Sequence, residues 1–206
     1  MSVQVPSKPL ISEKLLGSVP MKNFNSTTLE SIILQSRSQI SFIEGLLPGS
    51  EFTLLYRGSR DGWMGEVFHD KCDDIGPTLT LVKTSKGRIC GGYTSLSWTS
   101  TYGIHQKDNS CFLFSVNLLR KYPVIKDDEN AVFHYSEYGP CFGNGNLGLS
   151  RDQMNSENGG VSSIGCSCII PADENGNSEL TGEGGLNNNG RFTCVELEVF
   201  LVSRSD

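Results

Sequence analysis

His69 and Cys72 stand three residues apart in the run FHDKCDD, a spacing that lets the two side chains touch on one helix face. A thiol beside an imidazole can serve as a low-pKa nucleophile or a redox sensor. The plainer alternative is a small buried cysteine next to a histidine at the helix edge. Five carboxylates, Asp61, Glu66, Asp70, Asp73 and Asp74, gather around the same short stretch. Glu66 and Asp70 lie one turn apart, as a general acid/base pair or a cation site would require. A solvated helix face with Asp61 as N-cap explains the same residues with fewer assumptions. A zinc site would need two further ligands, and no second Cys/His pair has suitable spacing.

Other patterns are weaker. Gly143-Asn-Gly145-Asn-Leu-Gly148 spells GxGxxG, but dinucleotide binding needs a helix starting at the last glycine. Residues 149–160 are polar and glycine-rich with no apolar stripe, which predicts a turn-rich edge. Asp173-Glu-Asn175-Gly-Asn177 begins like a calcium loop, yet Ser178 occupies the glycine place and Gly184 the place of the bidentate glutamate. Cys166 and Cys168 are too close for a CxxC redox motif, and on a strand they would share a face without favouring a bridge. Ser59 with His105 or His134 has no nucleophile elbow around it. No catalytic residue, metal or cofactor is expected from these patterns; Cys72 with His69 is kept as the redox alternative.

The elements that must position these residues centre on Leu54–Leu81. Leu54, Leu55 and Tyr56 favour a strand and Arg57–Gly62 a turn. Trp63, Val67 and Phe68 share one helix face, Gly76-Pro77 stops the helix, and Thr78–Val82 begins a second strand. Upstream, residues 1–23 hold Pro6, Pro9 and Pro20 without a sustained period and predict an extended arm ahead of one domain over 24–206. Phe24–Ser36 suits a short helix with capping residues near its start. Arg37–Leu46 predicts an amphipathic helix ended by Pro48-Gly49. Downstream, Thr78–Thr84 and Arg88–Thr94 form a hairpin around Gly87. Ser97–Ser110 is a loop whose Trp98 turns into the core, and Cys111–Val116 is a strand covered on both faces. A short strand falls near Ala131–Tyr135 and another over Ile164–Ile170. Asn155–Gly160 and Asp173–Gly190 are surface loops. Phe192–Val202 alternates cleanly, with Thr193, Val195, Leu197, Val199 and Leu201 on the buried side.

Composition narrows the function. The chain has 206 residues and a net charge of −6 with no run of Lys or Arg, which disfavours nucleic acid as a partner. Seven cysteines cannot all pair within one chain. The first residues lack the apolar core of a signal peptide, and no stretch reaches membrane-span length. These features predict a cytoplasmic protein without membrane insertion, and 23 glycines favour a turn-rich, β-dominated fold.

Several words also carry a resemblance. YRGSRDGW, FHDKCD, GPTLTLVK, GGYT with the following Trp98, CFLFS, YGPCFG and VELEVF, in this order, resemble the TLDc domain, over roughly Phe24 to Ser203. The Asn/Gly-rich tail section resembles protist members more than animal ones. The resemblance implies an α+β, β-dominated fold: two antiparallel sheets packed as a sandwich with a few short flanking helices. The motif positions it matches are Arg57, Ser59, Asp61, Gly62, Trp63, Gly76, Pro77, Trp98, Gly139, Pro140 and Gly143. It implies structural roles for Asp61 and Gly62 at a turn, for Gly76-Pro77 at a helix end, and for Gly139-Pro140 and Gly143 at a later turn. It implies no established catalytic residues. Family members are associated with protection from oxidative damage and with binding the vacuolar H⁺-ATPase. Only Ser203–Asp206 follow the last expected strand, so the inhibitory C-terminal helix of some pump-binding relatives is not expected. Nor does the chain show the LysM, TBC, BTB or EF-hand modules often fused to the domain. The expected function is therefore a protein-interaction module, with the vacuolar pump as leading partner. A structural subunit of a cytoskeletal, ciliary or other assembly is the alternative.

Overall fold

The computed structural model describes residues 29–149, 153–157, 159–161, 180–181 and 191–204. Within them, Ser36 starts the first helix: its hydroxyl accepts the Gln39 N–H while the Gln39 side chain accepts the Ser36 N–H, a reciprocal cap. Helix α1 (Arg37–Leu46) follows, and its Ile40, Ile43 and Leu46 meet an apolar layer below. The short helix expected before it is not formed over Leu29–Ser36. That segment lies along the sheet instead, with Leu29, Ile33 and Leu34 buried, and residues 24–28 are outside the described region.

Among the described residues, twelve strands form two six-stranded antiparallel sheets. The first runs in the order β1 (Ser50–Arg57), β12 (Cys194–Arg204), β2 (Thr78–Thr84), β3 (Ile89–Thr94), β5 (Phe112–Ser115), β6 (Arg120–Pro123). The second runs β11 (Arg191–Phe192), β10 (Gly160–Val161), β9 (Leu147–Leu149), β8 (Cys141–Phe142), β7 (Val132–His134), β4 (Ile104–Gln106). The fold is thus the β-dominated α+β sandwich that the sequence implied. One core lies between the sheets around Tyr56, Phe68, Trp98, Phe142 and Leu197. A second lies between the first sheet and α1, where Leu79, Leu81, Phe114 and Phe200 pack. Because the first sheet is covered on both sides, β2 is buried almost throughout and β5 reads as an almost continuous apolar run.

The last strand departs from simple alternation. Phe192 belongs to β11 in the second sheet, whereas β12 enters the first, with an irregularity between Cys194 and Glu196. The extra residue turns Val195 out, 45% exposed, so Cys194, Leu197 and Val199 face the inner core and Phe200 and Val202 the outer one. A bulge of this kind changes which face each following residue takes. Val195 is therefore not on the buried side, and Glu196 and Glu198, from the opposite set, are both buried.

Helices α2 (Gly58–Asp61) and α3 (Gly65–Cys72) connect β1 to β2. Helix α3 ends at Asp73, ahead of Gly76-Pro77, which forms a cis peptide leading into β2. Trp63 precedes α3 rather than riding on it. The Ile164–Ile170 strand, the Cys166 and Cys168 pair and the Asp173–Asn177 calcium-like run lie outside the described residues.

Candidate functional site

Helix α3 docks because Phe68 is fully buried against Tyr56 and Trp98, with edge-on ring contacts at 5.9 and 5.6 Å. Trp98 is fixed in turn by its indole N–H, which donates to Thr78 Oγ1 at 2.9 Å. Gly65 lets the start of α3 sit against the turn at Glu137 and Tyr138, where a side chain would overlap the Glu137 carbonyl. Thus placed, α3 turns Glu66, His69, Asp70 and Asp73 toward one side. With Asp74, Ser100 and Ser136 they line an open groove of about 340 Å³.

His69 bridges this groove. Its Nδ1 lies 2.6 Å from Asp73 Oδ1 and its Nε2 lies 2.9 Å from the Tyr135 carbonyl. The Ser100 hydroxyl donates to the other oxygen of Asp73. Partial burial works against charge on Asp73, but the bonds from His69 and Ser100 outweigh it and hold the carboxyl below its ordinary range. Cys72 points the other way. It is fully buried in the inter-sheet core, and burial, with Asp73 and Asp61 nearby, pushes its thiol well above the ordinary value. A protonated, inaccessible thiol is neither nucleophile nor sensor, so this geometry does not support the Cys72–His69 redox reading. Cys90, Cys111, Cys141 and Cys194 are buried as well, with Cys90 and Cys141 each pushed up to about 12 by burial.

Asp61 does not cap α3, whose N-cap Met64 makes no side-chain bond. It accepts the Arg57 N–H at 2.9 Å and pairs with Arg60 at 2.7 Å, closing the turn around α2. Partial burial opposes its charge, but these bonds outweigh burial and lower its pKa. Gly62, at φ 112°, takes a backbone conformation that glycine favours, and its carbonyl accepts the Tyr56 hydroxyl. Ser59 sits on α2 with its N–H on Glu196, on the first sheet, while His105 and His134 lie on β4 and β7 of the second. The nominal triad is not assembled. Gly143–Gly148 joins β8 to β9 as strand, turn and strand, so no helix N-terminus is there to hold a phosphate. Among the described residues, no three or more His, Cys, Asp or Glu side chains converge on a metal position, and no helix is long and apolar enough to cross a membrane.

Two features were not foreseen. Arg57 Nε and Nη2 reach Glu198 Oε1 at 2.8 and 2.7 Å. The same carboxylate accepts the Ser31 hydroxyl and the Ile32 N–H. The alternation of VELEVF hides this, since a glutamate every second residue reads as a solvated face. The second is a row of rings on the outer face of the second sheet. His105 lies over Phe133 at 4.6 Å, Tyr135 against Tyr138 at 4.8 Å, and Tyr102 against Tyr135 at 4.7 Å. The aromatic residues around 133–138 were the available signal.

The sequence profile of the TLDc domain matches residues 25–203. The chain belongs to the TLDc domain family. A curated relative is the MTOR-associated protein MEAK7 of Danio rerio, 36% identical over 80 residues, which is 37% of this chain and 18% of the relative. The match therefore covers less than a fifth of that relative's length. Among the TLDc motif positions, Arg57 carries the buried ion pair and Trp63 packs over Gly58, where a Cβ would strike its ring. Gly139 and Pro140 are buried ahead of β8, with Gly139 against Met154. Gly143, at φ 65°, is closed over by the Asn146 side chain.

Proposed function

We propose that this TLDc chain is a non-catalytic interaction module, an adaptor or regulator linked to the vacuolar H⁺-ATPase and to resistance against oxidative stress. In this reading it acts in the cytoplasm, residues 24–206 form the domain and residues 1–23 an extended arm. The observation that carries the reading is the use made of its reactive groups. His69, Asp73 and Ser100 bond to one another and to the Tyr135 backbone, while Cys72 is sealed in the core, so side chains that could do chemistry hold the fold together. The kinship with an MTOR-associated protein also favours a role exercised through protein partners.

Affinity purification of the tagged full chain tests it. Vacuolar H⁺-ATPase subunits are expected to co-purify in stoichiometric amounts. Recovery of a cytoskeletal or ciliary assembly, or of mTOR components, without any pump subunit would replace the partner. Turnover of a small-molecule substrate abolished by His69→Ala would overturn the non-catalytic reading.

A further inference from the structure

We propose that the outer face of the second sheet, where it meets α3, docks an extended, arginine-bearing segment of a partner protein. This deepens the interaction-module reading and rests on it, by naming the surface and the chemistry it recognises.

The ring row is the first ground. Phe133 stands between His105 at 4.6 Å and Tyr135 at 6.0 Å, and Tyr138 and Tyr102 each pack on Tyr135. None of the five is buried, and Tyr102 is 79% exposed, beside Ile104 at 45%. Contiguous rings that are exposed or half-exposed on one sheet face mark a contact surface, because tyrosine offers rigid amphipathic area at low entropic cost. Charge is the second ground. The acidic groove adjoins the row directly: the Ser136 N–H donates to the Thr101 carbonyl at 3.0 Å, joining the turns that carry Tyr135 and Tyr102. Glu66, Asp70, Asp73 and Asp74 line that groove. The basic groups around this surface are His69, whose two ring nitrogens are engaged, Lys71, which is not in the groove's lining, Lys107, which pairs with Asp127, and Arg191, which lines a separate cavity with His105, Phe133 and Tyr138 and not the acidic groove.

A guanidinium uses both halves of this surface, stacking on a tyrosine face and forking onto a carboxylate, which an ammonium does less well. Strand β4 supplies the reason for an extended partner. It ends the second sheet among the described residues, and Ile104, His105 and Gln106 are all exposed. A strand added there would place alternate side chains along the ring row. A second copy of this chain fits less well, because a two-fold contact would bring the acids of one copy against those of the other.

The probe is a short fluorescein-labelled peptide alternating arginine and valine, titrated against the full chain by anisotropy. Saturable, salt-sensitive binding is expected, weakened about threefold to fivefold by Tyr102→Ala, the loss of one exposed cation–ring contact, and weakened likewise by Asp70→Asn. The lysine version should bind more weakly and the glutamate version not at all. Glu30→Gln, an exposed acid elsewhere, should change nothing. No binding, equal binding of the glutamate peptide, or equal losses from Glu30→Gln and Asp70→Asn would overturn the proposal. So would a dimer in sedimentation that Tyr102→Ala dissolves. If a purified partner is not released by Tyr102→Ala with Asp70→Asn, this surface falls and the module reading stands. If no pump subunit is recovered while the peptide binds here, the surface stands and only the partner choice falls.

Discussion

Glu198 has no exposed surface, yet it accepts bonds from Arg57, Ser31 and the Ile32 backbone. A carboxylate held inside a protein is tolerable only while its partners remain. Arg57→Ala should therefore cost about 3–5 kcal/mol, read as a shift of the urea midpoint at constant slope. Replacing the pair together, Arg57→Met with Glu198→Leu, should recover most of that loss. His134 is the opposite case. It is buried with neither ring nitrogen bonded among the described residues, and burial first, then repulsion from His69 and His105, lowers its pKa against an opposing pull from Asp73. The unfolded chain then takes the proton first, near the ordinary value of 6.5. Stability from this residue is complete above that pH and is lost as pH falls through the lower folded value. The melting temperature should drop from pH 7.5 to pH 5.5, and His134→Phe should flatten the slope; an unchanged slope would assign the acid sensitivity to the carboxylates.

At the scale of elements, what the sequence disclosed follows from periodicity. Helix α1, the β2–β3 hairpin and β5 were all readable, since each has a clean apolar period and a punctuating Gly, Pro or Ser. Strands β4 and β6 were not: IHQ and RKYP carry almost no apolar signal and depend on their neighbours for pairing. The face assignment of β12 failed at a single inserted residue, which no period reveals. The groove was half legible. Its acids were seen on one helix, but Ser100, Ser136 and the Tyr135 carbonyl come from distant loops that only the fold brings near. Gly65 is where that assembly is most sensitive. In Gly65→Ala the new methyl must displace the Glu137 backbone, with a cost of about 1–3 kcal/mol for overpacking. The His69 ring resonances should shift as the Tyr135 contact loosens; unchanged resonances with full stability would show that the turn yields freely.

For the molecule as a whole, the family was legible long before the function. Packing words such as YRGSRDGW and GPTLTLVK specify a sandwich, whereas the surface that meets a partner is written in exposed residues with no fixed pattern. One arrangement of the sandwich bears on how it is made. β12, the last described strand in sequence, lies between β1 and β2 and pairs with both along most of its length. A ribosome delivers it after the other described strands, so during synthesis the first sheet has a gap between its edge strand β1 and β2, and the facing edges of those two strands await a partner. A chain arrested at residue 190 should be digested as readily as an unfolded one, and supplying residues 191–206 as a separate peptide should restore protection; protection without the peptide would mean that the remaining strands close on their own. On this arrangement the domain is expected to become resistant to proteolysis only when β12 has left the exit tunnel.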